Sequence, residues 1–166
     1  MNAPSAVTKW ISLIEKCRHP EISPTLILAL IWQESAGDRW AQRYEANYQY
    51  FYDHKRKMPL YDKVQSVSGN RVRATAILGV TEFHSQSQSW GLLQLMGAAA
   101  RERRFNAPYL AELTDPEANI GYGTLHLWEW GYGQGKYTTA EALKRWNGGD
   151  DYADKVLTKL AAIEGD

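Results

Sequence analysis

The most regular feature of the hydrophobic pattern is an uninterrupted apolar run from Leu26 to Trp32, which is followed two residues later by Glu34. A stretch that is apolar on every side is typical of a buried helix. Ser23 and Pro24 suit the N-cap and the first helical position, and Gly37 suits the residue that ends a helix. The pattern therefore predicts a buried helix between these two signals.

Apolar residues at helical spacing recur through most of the remaining chain. Asp115 with Pro116, and Thr138 with Glu141, are typical helix starts. Arg101 to Arg104 suit the C-terminal end of a helix, where cations interact favourably with the helix dipole. The helices predicted in this way cover residues 7–17, 89–100, 115–130, 138–146 and 152–160. We therefore expect a mainly α fold.

Residues 38–86 show little strong periodicity, and long structureless loops are uncommon in compact domains, so we interpret this segment as a functional insertion. Tyr44, Tyr48 and Tyr52 fall at helical spacing, which predicts a short helix packed on the core. A wall of a substrate groove is the alternative interpretation of the same tyrosines. The basic residues 54–57 are expected in a solvated loop, and weak alternation around residues 68–70 allows a small β-hairpin.

The bulk composition narrows the class of protein. A chain of 166 residues suits one domain, which we place over residues 1–166. Zero net charge does not indicate a nucleic-acid partner, and no apolar run reaches the roughly 18 residues of a membrane span. The N-terminus lacks the basic start and apolar core of a signal peptide, so we expect synthesis in the cytoplasm. The four histidines are scattered without metal-ligand spacing, so we expect neither metal nor cofactor. We expect a monomer.

Glu34 is the strongest candidate for chemistry. It continues the apolar stripe of Ile27, Leu30 and Ile31 into the last turn of the predicted helix. Burial and the negative end of the helix dipole both disfavour the carboxylate, so both raise its pKa. A carboxyl group that stays protonated near neutral pH suits a general acid. A partly buried glutamate paired with an arginine is the alternative interpretation.

Four motifs occur in order along the chain, and a related tail follows them. They are Glu34-Ser35, Ser89–Met96, Asp115–Ile120 with Gly123 and Leu127, and Ala142–Gly149, with the tail at Tyr152–Leu157. Together they resemble the lysozyme-like lytic transglycosylases, the family of soluble lytic transglycosylases and goose-type lysozymes. The resemblance covers most of residues 22 to 160 and implies a lysozyme-like, goose-type domain that carries a long insertion.

The phage-encoded branch of this family shares further features with the chain. Arg43-Tyr44-Glu45 and Thr81-Glu82-Phe83 look like segments of that branch, and so does the long insertion after Glu34. The resemblance implies an endolysin or virion enzyme of a phage or prophage. Such an enzyme would be made in the cytoplasm and would reach the cell wall through a holin, with the virion, or by an unknown export route.

The resemblance also implies a reaction. The substrate is peptidoglycan, cut at the β-1,4 bond between N-acetylmuramic acid (MurNAc) and N-acetylglucosamine (GlcNAc). Glu34 is the general acid that protonates the glycosidic oxygen. It then acts as a base on the C6 hydroxyl, giving a 1,6-anhydro product without water. The partners expected are glycan strands, with no nucleic acid and no stable insertion into a membrane.

Further roles are implied for residues in and near the motifs. Gln94, with Ser85 or Ser89, is expected to hydrogen-bond sugar or acetamido groups. Trp146 and Asn147 are expected to line the floor near Glu34, and Tyr44 to stack on a sugar ring or hold Glu34. Packing in the core is the alternative for Tyr122. The expected substrate-binding residues are Ser35, Tyr44, Glu45, Glu82, Ser85, Ser89, Gln94, Tyr122, Trp146 and Asn147.

Two departures from the family pattern bear on the chemistry. Trp146 stands where many members have a tyrosine whose hydroxyl helps to position the acid, and an indole N–H donates but cannot accept. Ser85 and Met96 stand where goose-type lysozymes carry acidic residues. A hydrolase of the usual kind needs a second carboxylate, so these two residues favour a transglycosylase.

Two alternatives stay open. A muramidase that hydrolyses the same bond could take its second carboxylate from the insertion, which offers Glu45, Asp53 and Glu82. A wall-binding module that has lost activity is the other alternative, and the presence of Glu34 on an apolar stripe argues against it.

Overall fold

The apolar helix predicted from the sequence lies at the centre of the protein in a computed structural model that describes residues 2–133, 135–149 and 151–165. Its bounds are Pro24–Glu34, and it is α3, after α1 (Ser5–Thr8) and α2 (Ile11–Cys17). The Ser23 hydroxyl caps it by accepting a hydrogen bond from the Leu26 amide at 3.1 Å. Every residue from 26 to 31 is buried.

Two boundaries at this end of the chain differ from the prediction. The helix expected over residues 7–17 is divided by a turn at Lys9 and Trp10. Helix α3 ends at Glu34, before Gly37, which has a φ of +87°. A Cβ atom at Gly37 would lie 2.1 Å from the carbonyl oxygen of Ala6, so only glycine fits where the turn after α3 approaches α1.

The helices after the insertion follow the predicted order, and two of their starts confirm the predicted caps, whereas the two helices between residues 67 and 86 were not predicted. Asp115 accepts from the Ala118 amide at 3.0 Å, and Thr138 forms a reciprocal capping box with Glu141. The helices are α4 (Val67–Leu78), α5 (Val80–Gln86), α6 (Gly97–Glu102), α7 (Pro116–Glu129), α8 (Thr139–Asn147) and α9 (Tyr152–Glu164), with a 3-10 helix at Leu110–Thr114.

Two small antiparallel sheets accompany the helices. The three-stranded sheet has the order β1-β4-β5, with Arg43 opposite Ser89 and Ser89 opposite Met96. The two-stranded sheet is the hairpin β2-β3, with Tyr52 opposite Pro59. The strands are β1 (Gln42–Tyr44), β2 (Tyr52–Asp53), β3 (Met58–Pro59), β4 (Gln88–Trp90) and β5 (Leu95–Met96).

The helix predicted to start at Ser89 is wrong over residues 89–96, its first two thirds. Strand, turn and strand replace it, and α6 begins only at Gly97. Gly91 has a φ of +68° and Gln94 a φ of +47°, neither of which a right-handed helix allows. The Gly91 amide instead donates to the carbonyl of Ala41 at 2.7 Å, so pairing with a distant strand overrides the local apolar spacing.

The insertion also differs from the prediction. The expected tyrosine helix is wrong, because Tyr44 and Tyr52 lie on strands and Tyr48 lies between them. The hairpin around residues 68–70 is wrong as well, because the Ser66 hydroxyl caps α4 and places these residues in its first turn. A hairpin does occur earlier, as β2-β3. Its connection is the basic segment 54–57, which confirms the predicted loop.

Most buried hydrophobic residues in the described part of the chain fall into three clusters. The largest surrounds α3 and takes side chains from α7, α8 and α9. The second lies around Trp90 and Phe105, and the third lies under the insertion between Phe51 and Phe83. Trp146 packs against both the first and the second cluster. In the part of the chain that the structure describes, none of the helices combines the length and apolar character needed to cross a membrane.

Asn119 holds the turn between β4 and β5 to α7. It is fully buried, its Oδ1 accepts from the Leu93 amide at 2.8 Å, and its Nδ2 donates to the carbonyls of Trp90 and Leu113 at 2.7 and 3.0 Å. We expect Asn119→Ala to lower the free energy of unfolding by about 3 kcal/mol, because three buried backbone groups lose their partner. Urea denaturation measures this loss.

The matched control is Asn106→Ala, at an exposed position outside these contacts. It is expected to change the free energy of unfolding by less than about 0.5 kcal/mol. Equal effects of the two substitutions would contradict the structural role of Asn119.

Candidate active site

A cavity of about 790 Å³ lies between the insertion and the helices around α3. This volume is in the range of small-ligand and cofactor sites. Glu34 lines it, together with the sheet residues Ser89 and Gln94 and the α8 residues Trp146 and Asn147. Glu45 lines it from the insertion. These six predicted residues are thus brought to one cavity, although they are distant in sequence.

Glu34 lies at the last position of α3, and two side chains donate to one of its oxygens. The Trp146 indole Nε1 donates to Oε1 at 3.1 Å, and the Tyr152 hydroxyl donates to the same atom in a short hydrogen bond. Within residues 2–133, 135–149 and 151–165, no hydrogen bond reaches Oε2. An oxygen that accepts two hydrogen bonds is the unprotonated one, so Oε2 is the atom suited to carry a proton.

Burial raises the pKa of Glu34, which confirms the direction expected from the sequence. The hydrogen bonds from Tyr152 and Trp146 and the charge of Arg43 act in the opposite direction, and the charge of Glu45 adds to the increase. The net pKa stays raised. Burial, with the adjacent Glu34 carboxylate, also raises the pKa of Tyr152, so this phenol remains a neutral donor.

Tyr152 was not among the residues predicted for the site. It is the first residue of α9, and α9 packs along α3. The tail motif Tyr152–Leu157 contained the signal, but nothing in the tail itself indicates a contact with Glu34. The structure also gives Trp146 a definite role, because donation is the one hydrogen bond that an indole makes and Glu34 accepts it.

Arg43 and Glu45 bring an ion pair to the cavity. Arg43 lies on β1, and Glu45 is the first residue after this strand. The Arg43 Nε is 2.6 Å from the Glu45 Oε1. Residues two apart on an extended segment point to the same side, which explains why both side chains line the cavity. Of the insertion carboxylates named as possible second acids, Glu45 is the one that reaches the cavity.

The two other insertion carboxylates have structural partners. Asp53 is buried and its Oδ1 accepts from the amides of Lys55 and Arg56, so it closes the hairpin turn. Glu82 lies within 2.8 Å of the Nε of Arg101, whose side chain is almost fully buried. Burial opposes ionisation of Glu82, but its hydrogen bonds and the Arg101 charge outweigh burial and lower its pKa. Neither residue lines the cavity.

A further carboxylate lines the cavity and was not predicted. Glu102 ends α6, is exposed, and lies 3.5 Å from the Nη1 of Arg103. Its spacing in the sequence carries no signal, because it belongs to a charged run at a helix end.

Gln94 and Ser89 are engaged within the protein. The Gln94 Nε2 donates to the carbonyls of Ala41 and Gly91, both at 3.0 Å, and the Ser89 hydroxyl donates to the Gln94 Oε1 at 2.9 Å. These bonds hold β1 against the turn that precedes β5. Both residues line the cavity, and direct bonds from them to a sugar stay predictions.

Four further predicted residues lie outside the lining of this cavity. The Ser35 hydroxyl donates to the carbonyl of Leu92 at 2.8 Å, the Tyr44 hydroxyl accepts from Arg71 at 2.6 Å, the Ser85 carbonyl accepts from the Trp90 indole at 3.0 Å, and the Tyr122 ring packs edge-on against Phe105 at 5.2 Å. Each therefore has a structural contact in this structure, and its role with substrate stays a prediction.

The part of the chain that the structure describes contains no cluster of three histidine, cysteine, aspartate or glutamate side chains suited to a metal ion. His126 lines the cavity beside Trp146, with ring centroids 5.6 Å apart. Burial, with the charge of Arg103, lowers the pKa of His126 to about 3, so its ring is neutral at ordinary pH.

Comparison with known proteins gives a family match. The family model described as "Transglycosylase SLT domain" matches residues 12–161, which is most of the chain. No curated protein and no solved structure matches this chain.

The raised pKa of Glu34 makes a prediction about stability. A raised pKa in the folded protein favours folding at low pH, and this contribution is lost as the pH rises from about 4.5, where an ordinary glutamate titrates, through the folded pKa. Glu34→Gln has the acceptor and donor pattern of the protonated acid. We expect it to match the wild-type free energy of unfolding at low pH and to exceed it increasingly at higher pH.

Urea denaturation of both proteins at a series of pH values measures this difference. Glu15→Gln, at an exposed position, is the matched control and is expected to give no pH-dependent gain of this kind. A constant difference between Glu34→Gln and wild type at every pH would contradict the raised pKa.

Proposed function

The chain belongs to the Transglycosylase SLT domain family and is therefore a lytic transglycosylase acting on peptidoglycan, and we propose that it forms 1,6-anhydro-MurNAc ends with Glu34 as its acid and base. The bond cleaved in this proposal is the β-1,4 link from MurNAc to GlcNAc. The observation that carries the proposal is the partly buried Glu34 in the cavity, with two donors on Oε1 and a raised pKa.

The first step is protonation. Glu34 gives the proton on Oε2 to the glycosidic oxygen, the bond from that oxygen to C1 of MurNAc breaks, and GlcNAc leaves as an alcohol. The positive charge that develops at C1 is stabilised by the acetamido group of the same MurNAc. Tyr152 and Trp146 stabilise the carboxylate that Glu34 has become, because both donate to Oε1.

The second step closes the anhydro ring. The Glu34 carboxylate takes the proton from the C6 hydroxyl, and O6 bonds to C1 as the acetamido group is released. Glu34 ends the cycle protonated, as it began, and no water is consumed. One carboxyl group thus serves as acid and then as base, which matches a site whose other predicted insertion acids, Asp53 and Glu82, have structural partners.

A muramidase that hydrolyses the same bond is the second candidate. The observation in its favour is that Glu45 and Glu102 also line the cavity, since inverting enzymes use a second carboxylate to activate water. The ion pair between Glu45 and Arg43 occupies Oε1 of Glu45 at 2.6 Å, so Oε2 is the oxygen that would accept the water proton in this alternative.

We also propose that the protein is phage or prophage encoded, works as a monomer and reaches the cell wall through a holin or with the virion. The support is the resemblance of the segments at Arg43–Glu45 and Thr81–Phe83 to the phage branch, together with the long insertion. Bacteriolysis by the externally added protein, before and after the outer envelope is made permeable, tests whether delivery limits its action.

Mass spectrometry of purified peptidoglycan digested by the protein tests the reaction. We expect muropeptides that are lighter than ordinary ones by one water and that have no reducing end. Glu34→Gln is expected to lower the rate by at least about 10³-fold, because it removes the proton that the leaving group needs.

Glu45→Gln and Glu102→Gln are the matched controls in the same cavity. Each is expected to keep the anhydro product and to change the rate by less than about tenfold, an effect below about 1.4 kcal/mol in the barrier. The muramidase would be established instead if the wild-type digest contained reducing ends and if either control variant failed to produce them.

Removing the hydroxyl of Tyr152 makes a prediction about pH dependence. Its hydrogen bond lowers the pKa of Glu34, so Tyr152→Phe raises that pKa further. Because the acid must be protonated, activity is lost as the pH rises through this pKa, and we expect the loss to move to higher pH in Tyr152→Phe. A decrease in kcat of about 10- to 100-fold accompanies it, because the carboxylate formed in the first step loses a charge-assisted hydrogen bond of about 1.5–3 kcal/mol.

Measurement of kcat/KM against pH on soluble glycan fragments checks this shift. Tyr122→Phe, which packs against Phe105 outside the cavity, is the control and is expected to leave the profile unchanged. If Tyr152→Phe lowered the rate but did not shift the pH profile of kcat/KM, the Tyr152 hydroxyl would support the fold and would not tune the pKa of Glu34.

A further inference from the structure

The insertion presents a tyrosine wall, formed by Tyr48, Tyr50, Tyr52 and Tyr61, to the cavity that contains Glu34. Three of these tyrosines form one aromatic group. The rings of Tyr50 and Tyr61 are 4.7 Å apart, and Tyr48 meets Tyr50 edge-on at 5.8 Å. All three side chains keep some solvent-exposed surface. The Tyr50 side chain is 55% exposed, which is unusual for a large ring within an aromatic cluster.

The tyrosine wall is held by a rigid framework. The buried Gln86 side chain accepts from the Tyr52 amide at 3.0 Å and donates to the Tyr52 carbonyl at 2.8 Å. Arg71 donates to the Tyr48 carbonyl at 2.7 Å, and the Tyr48 hydroxyl donates to the Tyr50 carbonyl at 3.0 Å. The backbone that carries the wall is thus fixed at several points.

The third buried cluster supports the same backbone. Phe51 is buried in this cluster, where its ring stacks on Phe83 at 4.9 Å and meets Tyr48 edge-on at 5.6 Å, and Leu60 belongs to the same cluster. Phe51 and Leu60 are buried, while Tyr50 and Tyr61, one residue before and one after them, face outwards. Alternation along the extended segments that flank this hairpin therefore places Phe51 and Leu60 in the buried cluster and leaves Tyr50 and Tyr61 more exposed.

We propose that the tyrosine wall is a second saccharide-binding subsite, where Tyr50 and Tyr61 stack on a sugar ring of the strand away from the bond that is cut. The proposal rests on the proposed function only in taking the glycan as substrate. Tyrosine rings present an apolar face to the C–H groups of a pyranose and a hydroxyl at their edge, which suits a ligand that is itself amphipathic.

The charges of the side chains around the tyrosine wall favour a sugar as its ligand. The peptide stems of peptidoglycan carry carboxylates, which would need cationic partners. The cationic side chains that line the cavity are Arg43, which pairs with Glu45, and Arg145, which belongs to α8 and stacks on Trp130 at 5.2 Å. The tyrosine wall has no cation of its own facing the cavity among the described residues, since Arg71 is bound to Tyr48 and Tyr44.

A subsite on the insertion extends the binding surface beyond the residues around Glu34. Short fragments would occupy only the part near Glu34, whereas longer strands would reach the tyrosine wall as well. The insertion therefore predicts a preference for longer glycan strands, expressed in KM, because the wall does not touch the reacting atoms.

The experiment measures binding without turnover. Stem-free glycan strands, prepared by amidase treatment of peptidoglycan and sorted by length, are titrated by calorimetry into the full chain carrying Glu34→Gln. Adding Tyr50→Ala and Tyr61→Ala is expected to raise the dissociation constant of long strands about tenfold or more. The loss of each aromatic contact alone is expected to raise this constant severalfold. Short fragments are expected to bind as before.

Two variants separate stacking from folding. Tyr50→Phe with Tyr61→Phe keeps both rings, and no hydrogen bond of either hydroxyl occurs among the described residues, so this pair is expected to restore binding. Tyr109→Ala removes a tyrosine that is 70% exposed and lies outside the cavity, and it is expected to leave binding unchanged. In the active enzyme, the alanine pair is expected to raise KM for long strands and to keep kcat.

Three results would overturn the subsite. They are unchanged binding of long strands by the alanine pair, equal losses for short and long strands, and competition at the wall by free stem peptides, which would assign it to the stem. The product analysis is separate: reducing ends would refute the proposed anhydro reaction, whereas length-dependent binding by the Glu34→Gln protein would still stand.

Discussion

In the proposed reaction Glu34 has to satisfy two opposite requirements, and helices α3, α8 and α9 are arranged in a way that suits both. The carboxyl group must hold a proton, which needs apolar surroundings, and it must then exist as a carboxylate, which needs donors. The apolar residues of α3 bury it, and Trp146 from α8 and Tyr152 from α9 donate to a single oxygen. Placing both donors on Oε1 leaves Oε2 for the proton, so the packing of three helices decides which oxygen reacts.

The local signals for the helices were readable in the sequence because caps and periodicity act over a few residues. Asp115 and Thr138 cap the helices that they were predicted to start. The segment after Ser89 was misread, because its structure depends on pairing with β1, which lies 46 residues earlier. Apolar spacing of 3 and 4 residues occurs in it by coincidence, and the positive φ of Gly91 and Gln94 is set by that distant pairing.

The sequence motifs predicted several residues of the candidate site, but they did not predict how these residues contact one another. Glu34, Gln94, Trp146 and Tyr152 all stand in motifs, but the contact of Tyr152 with Glu34 joins residues 118 apart through a helix packing that no local pattern describes. The indole at position 146 donates to the same Glu34 oxygen as the Tyr152 phenol, so the two side chains act together on this atom.

The insertion illustrates why a residue type alone does not assign a role. Its acids were candidates for a second catalytic carboxylate, yet Asp53 closes a turn and Glu82 neutralises the buried Arg101. Glu45 reaches the cavity, but already bound to Arg43. A water-activating base must accept a proton, and the ion pair with Arg43 leaves Oε2 of Glu45 as the oxygen that could do so. Asp53 and Glu82 thus hold the fold of the insertion, while the tyrosine wall faces the cavity beside the Arg43–Glu45 pair, and these uncharged aromatic side chains favour a part in binding the strand.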